Sequence, residues 1–226
     1  MGRFVSAGYH GPMPRSAGAR TEEEPDRSQP NLVRDPRLLR AAVAVLAKTG
    51  WDGLTMEAVA EEAGLSRVTT WRLGATREGL IGSLLLNLEE DYRRAMWPAL
   101  TAAGTARDRL AAALLALFEV AEAYLPLLMA ADQVFHRASV GGLNFNEPFS
   151  RIFRDGLDDG SLAPPGGDPD QAADLLFNTA CWPYVHLRGR HHWDRDKLRT
   201  QLSAVVLPKL VDPELTSSRP VRARPA

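Results

Sequence analysis

A glycine at position 64 decides how the chain around it can fold. It follows the run from Leu54 to Ala63, in which Val59 and Ala63 fall on one face at i, i+4 helical spacing. Glycine takes the left-handed conformation at little cost, so Gly64 ends that helix. Leu65 then plugs the turn, and Ser66 is a candidate cap for a second, short helix. Thr55 is a candidate N-cap of the first helix, with Glu57 near the positive end of its dipole. Small Ala60 lets the two helices approach. Thr70 faces inward, where its hydroxyl can bond a carbonyl one turn back, and Leu73 is expected to continue that inward face. Ser66, Arg67, Val68, Thr69, Trp71 and Arg72 are left pointing outward or sideways. Hydroxyls, guanidinium groups and an indole on the free face of a short helix suit the major groove of DNA. The spacing is that of a helix-turn-helix; the plainer alternative is an αα-hairpin with a glycine corner.

From Arg37 to about Leu85 the chain resembles the TetR family of transcriptional regulators. The resemblance is carried by GWDGLTMEAVAEEAGLS and, without a gap, RVTTWRLGATREGLI. Trp71 stands where the family usually has a tyrosine. Thr76, Arg77 and Glu78 match its Ser-Lys-Glu start of the fourth helix. Leu73, Gly74 and Ala75 replace the usual His-Phe-Pro, which removes a core aromatic and adds a flexible glycine. The resemblance implies an all-α fold: an N-terminal three-helix helix-turn-helix DNA-binding domain, then a C-terminal helical ligand-binding and dimerisation domain. It also implies that the last two helices pair with their symmetry mates in a four-helix bundle. A two-fold dimer would read two half-sites about 34 Å apart on a double-stranded operator.

Net charge is −1 over 226 residues, so no general affinity for polyanions follows from it, and DNA binding would need a local patch. Lys48, Lys197 and Lys209 are the only lysines among 27 basic residues, so an arginine at any one site says little by itself. The lone Cys181 excludes an intrachain disulfide and a cysteine-based zinc cluster. No apolar run approaches the roughly 20 residues of a membrane helix, and a signal-peptide segment is missing; no membrane partner and a cytoplasmic location are expected.

Taken in order, residues 1–34 read as a disordered arm rich in Gly, Pro, Ser, Arg and Glu. Its Arg3, Arg15 and Arg20 could reach a minor groove, against which stands the acidic run Glu22, Glu23, Glu24 and Asp26. Residues 35–80 are the expected DNA-binding domain. Asp35 caps and Pro36 opens its first helix, whose inner face is Leu38, Leu39, Ala42, Val45 and Leu46, and Gly50 stops it. Trp51 is expected to pack under the reading helix. Residues 81–212 are the expected regulatory and dimerisation domain, and 213–226 a disordered tail. A long helix from Thr76 is expected to break at Pro98. Further helices carry Leu110 to Ala121, Pro126 to Phe135, and Phe149, Ile152, Phe153 and Leu157. The last two span about 170–187, kinked at Pro183, and 194–210.

No phosphate loop, nucleophile elbow or helical metalloprotease motif is present, so neither an enzyme nor a cofactor is expected. His186, His191 and His192 cluster in HLRGRHHW, but the adjacent pair would point about 100° apart on a helix, a poor pair of metal ligands. The aromatic set Trp97, Phe118, Tyr124, Phe135, His136, Phe153, Trp182 and Tyr184 is the candidate lining of a small-molecule pocket between helices, with Tyr124, His136 and Tyr184 as polar groups. An ordinary core is the other reading of those residues. The functional expectation is a repressor released from its operator by an unidentified effector. Thr69, Arg72 and Arg67 would meet bases or phosphates, Trp71 would press on a sugar or thymine methyl, and Thr55 and Arg77 would mark helix starts that hold phosphates. The alternative is a helical interaction or scaffold protein of this fold without specific DNA reading.

Overall fold

The computed structural model describes residues 32–130 and 144–211, which form nine α-helices and one 3-10 turn. Residues 1–31 of the expected arm (1–34), the expected tail over 213–226, and Phe135 and His136 lie outside the described residues, whereas Val33 of the arm is buried in the core.

Helix α1 (Pro36–Thr49) starts where Asp35 accepts from the Arg37 amide, and ends at Gly50 with φ +69°. Leu38, Ala42, Val45 and Leu46 are buried, as the helical spacing requires. Helices α2 (Met56–Glu62) and α3 (Arg67–Arg72) meet at the glycine corner. Gly64 has φ +65°, its amide donates to the Glu61 carbonyl at 3.0 Å, and the Leu65 amide reaches back to Ala60 at 2.9 Å. That pair of reversed bonds is a Schellman end, which closes α2 and aims the chain into α3.

The same device ends α3. Gly74 has φ +64°, its amide donates to Trp71 at 2.9 Å, and Ala75 donates to Thr70 at 3.4 Å. Leu73 is therefore the capping residue, swung outward and exposed rather than inward as the spacing suggested, while Ala75 packs on the core. The segment that departs from the family's usual pattern builds a second helix stop.

Helix α4 (Arg77–Thr101) is capped by Thr76 and runs unbroken through Pro98. Proline removes one N–H, which frees the carbonyl of Arg94; both residues face solvent, where water can satisfy that carbonyl, so the expected break does not occur. The expected domain boundary at residue 80 falls inside this helix. Leu80, Ile81, Leu84, Leu85, Leu88, Tyr92 and Met96 bury its inner side.

Helix α5 (Ala106–Ala123) begins with a capping box between Thr105 and Asp108. It is followed by α6 (Leu125–Met129), α7 (Glu147–Asp159), the 3-10 turn Pro165–Gly167, α8 (Pro169–Gly189) and α9 (Arg195–Val211). Leu157 is exposed, not turned inward. Gly156 takes the inner position, so close to Leu162 that an added Cβ would lie 2.5 Å from it. Helix α8 likewise continues through Pro183. One continuous core joins α1, α2 and α4 to α5–α9. No helix of the described residues is long and apolar enough to cross a membrane.

Candidate nucleic-acid interface

Helix α3 is held by short-range bonds that leave its outer face free. The Ser66 hydroxyl accepts from the Thr69 amide at 3.1 Å and meets the Thr69 hydroxyl at 2.9 Å. Thr70 is buried and donates its hydroxyl to the Ser66 carbonyl at 3.1 Å, the back-bond expected of an inward threonine. Across the outer face, Trp71 is 81% exposed and Val68 is 58% exposed. An indole and an isopropyl group held in water on a six-residue helix do nothing for the core.

The two arginines of the helix differ. Arg67 pairs with Glu57 on α2, and that guanidinium, hydrogen-bonded to the carboxylate, holds Glu57 below its ordinary value. Both side chains are exposed, so solvent screens the pair and a phosphate can compete for Arg67. Arg72 is exposed in the last turn and has no ion pair among the described residues.

Thr55 and Thr76 cap α2 and α4, accepting from the amides of Ala58 at 3.1 Å and Gly79 at 2.9 Å. The Arg77 side chain is not free for DNA. It donates to the Trp51 carbonyl at 2.6 Å and lies over the Trp51 ring, 4.3 Å from its centroid. Trp51 thus packs at the start of α4, half-buried against the core. Lys48 bridges α1 to Glu62 of α2 at 2.6 Å. The sequence reading gave Glu57, Lys48 and Thr76 no part in the interface. The i-to-i+3 cap of Thr76 is legible there, whereas the two charge pairs depend on how the helices cross.

The aromatic candidates separate. Phe118 and Tyr184 stack at 4.9 Å and Phe153 is buried beside the same core. The Tyr184 hydroxyl donates to Glu122 at 2.8 Å, and the Tyr124 hydroxyl to Asp91 at 2.6 Å. Trp97 is 64% exposed on α4 and Trp182 is exposed on α8, so neither joins that group. Two clefts open elsewhere. One, of about 480 Å³, lies between the end of α1 and α6, lined by Leu46, Trp51, Leu125, Met129 and Gly189. The other, of about 420 Å³, lies between α5 and α9, beside Leu115, Arg199 and Ser203. None of the described aromatic candidates lines either cleft.

No curated protein matches the chain in sequence. The sequence model described as bacterial regulatory proteins, tetR family, matches residues 38–70, which run from α1 into α3. Among solved structures, the chain is similar to the ketosteroid transcriptional regulator KstR2 of Mycobacterium tuberculosis, with a TM-score of 0.64, 19% identity, and 80% of this chain and 98% of that one covered. It is similar to a bacterial regulatory protein in the tetR family from Rhodococcus RHA1, with a TM-score of 0.63, 18% identity, and coverage of 77% and 95%. It is also similar to the fatty acid degradation regulator FadR from Bacillus halodurans, with a TM-score of 0.59, 19% identity, and coverage of 77% and 96%. At such identities the likeness is one of fold. The tetR-family sequence model thus lies on the glycine-corner segment, and the fold of these regulators extends over the helices that follow.

Proposed function

We propose that the chain is a DNA-binding transcriptional regulator that acts as a homodimer, with one copy of α3 in each of two successive major grooves of a double-stranded operator. The carrying observation is the outer face of α3: a largely exposed indole beside an arginine with no ion pair among the described residues, on a helix capped at both ends. In this reading Arg72, Thr69 and Arg67 reach base edges or phosphates. Trp71 lays its ring on a sugar or a thymine methyl, and Val68 adds apolar contact. Ser66 sets the pitch of the helix. The amides at the starts of α2 and α4, marked by Thr55 and Arg77, hold phosphates.

Dimerisation through α8 and α9 is supported by Leu175 and Trp182, exposed one heptad apart on α8, and by exposed Val205 on α9. Repression relieved by a small molecule held among the C-terminal helices is part of the same proposal. Phe118, Phe153, Tyr124 and Tyr184 are the described side chains assigned to it. Such an effector acts only through different affinities for the two arrangements of the reading heads.

The test is a gel shift of the purified chain against the DNA flanking its own gene, across a salt series. A retarded band that weakens steeply with salt supports the reading. No band at low salt favours the interaction-protein alternative, for which the exposed Leu73 and the near-neutral charge speak.

A further inference from the structure

The chain leaves α8 through a turn whose histidines come together in a way their order conceals. The pair that meets is His186 and His191, not the adjacent His191 and His192. Their Nε2 atoms are 3.1 Å apart, with ring centroids at 4.9 Å and planes inclined by 62°. Both side chains are exposed, one in the last turn of α8 and the other just beyond it.

The backbone fixes this meeting. The Arg190 amide donates to the His186 carbonyl at 2.9 Å, and the Trp193 amide reaches back to Leu187 at 3.2 Å. Between them His192 adopts φ +54°, a left-handed backbone seldom taken by a side chain with a Cβ. Arg188 clasps the turn from the side: it donates to the Trp193 carbonyl at 3.3 Å and pairs with Glu122 at 2.9 Å. The same pair compensates the positive charge of the Arg188 guanidinium.

Two imidazole nitrogens at this distance make an N–H···N hydrogen bond, and the same spacing suits two ligands of one cation. Zinc–nitrogen bonds of about 2.05 Å set two ligands about 3.3 Å apart along a tetrahedral edge. Cis ligands of square-planar copper or nickel stand about 2.9 Å apart at similar bond lengths. The observed separation lies between these values, so the two nitrogens already stand as far apart as two ligands of one ion, and the exposed rings need only turn to aim both lone pairs at it. Magnesium and calcium prefer oxygen ligands and do not suit an imidazole pair.

We infer that His186 and His191 form a chelating site for a divalent transition metal of the zinc, nickel or copper class, with water completing the coordination. No third His, Cys, Asp or Glu joins them among the described residues, so the ion stays exchangeable rather than structural. Its place gives it leverage. Gly189, between the two ligands in sequence, abuts Met129, where an added Cβ would lie 2.2 Å from the sulfur. Gly189 also lines the cleft shared with Leu46 and Trp51 of the head. Metal on this pair fastens the turn that borders the junction between reading head and body. The inference stands apart from DNA binding and does not depend on it.

The test uses the full chain free of any affinity tag, titrated with zinc, nickel or magnesium chloride by isothermal calorimetry. Zinc or nickel is expected to bind at one ion per protomer, and magnesium to give no binding heat. His186→Gln and His191→Gln should each weaken the transition metal at least about tenfold, while His192→Gln leaves it within about twofold. Histidine side-chain nitrogen resonances should move at positions 186 and 191 on adding zinc. All three residues are exposed, so an unchanged circular-dichroism melt of each metal-free variant separates lost ligation from lost fold. No binding by the wild-type chain at millimolar metal, or equal affinity in wild type, His186→Gln and His191→Gln, overturns the site. So does a loss in His192→Gln as large as that in His191→Gln.

Discussion

Arg77 lies flat over Trp51, 4.3 Å from the ring centroid, and donates to that residue's own carbonyl at 2.6 Å. One side chain thereby ties the first turn of α4 to the α1–α2 link. The contact combines a cation–π interaction with a charge-assisted hydrogen bond in a half-buried place. Arg77→Ala is expected to destabilise the chain by about 2 kcal/mol, read from the denaturant midpoint. Arg77→Lys should recover only part of this, because a lysine cannot stack in the same way. A midpoint unchanged in both variants would remove the tie from the account.

Trp71 and Arg72 should separate binding from stability. Each is exposed and packs on nothing in the core. Trp71→Ala and Arg72→Ala are both expected to keep stability within about 0.5 kcal/mol of the parent. Operator affinity should fall by about 1–3 kcal/mol for either. If Arg72 sits on a phosphate, its removal should also lower the slope of log affinity against log salt by about one. Fluorescence anisotropy over a salt series measures both quantities.

The exposed apolar residues of α8 and α9 make a third test. Leu175→Glu combined with Val205→Glu places two charges on the face assigned to dimerisation. Sedimentation velocity is expected to show a dimer for the parent and a monomer for the double variant. A double variant that remains dimeric would move the interface to another face.

Cys181 gives the pH dependence a sign. Burial pushes its thiol up to about 12, whereas an unfolded thiol titrates near about 8.5. Between those values the native state keeps a proton that the unfolded chain has lost, so stability falls as pH rises. Burial also raises Tyr92, Tyr124 and Tyr184, which act in the same direction at higher pH. The urea midpoint is expected to decline from about pH 9 upward, and Cys181→Ala should delay the onset. In the folded chain at neutral pH the thiol should resist a disulfide reagent until denaturant is added.

Much of the head was legible because its signals are local. The hydroxyl caps at Thr55 and Ser66, the positive φ at Gly50 and Gly64 and the back-bond of Thr70 each act within about one turn, so residue order specifies them. Leu73 was misplaced because Gly74 repeats the trick of Gly64, and a helix stop overrides apolar periodicity. Pro98 was read as a break, yet whether a helix survives proline depends on what surrounds the freed carbonyl. The pairings of Arg67 with Glu57 and of His186 with His191 arise from crossing angles and a reversed turn. No spacing rule reports those.

The continuity of α4 past Pro98 has a mechanical meaning. Its 25 residues form a rod about 37 Å long at the usual rise per residue. It starts at the Trp51 clasp, packs along α5, and ends at an exposed turn on the far side of the body. Tilting such a rod by about 5° sweeps its tip through about 3 Å, nearly the rise of one base pair. In a dimer the two tips would move together, so a displacement too small to disturb the body's packing could carry both reading helices out of register with their grooves.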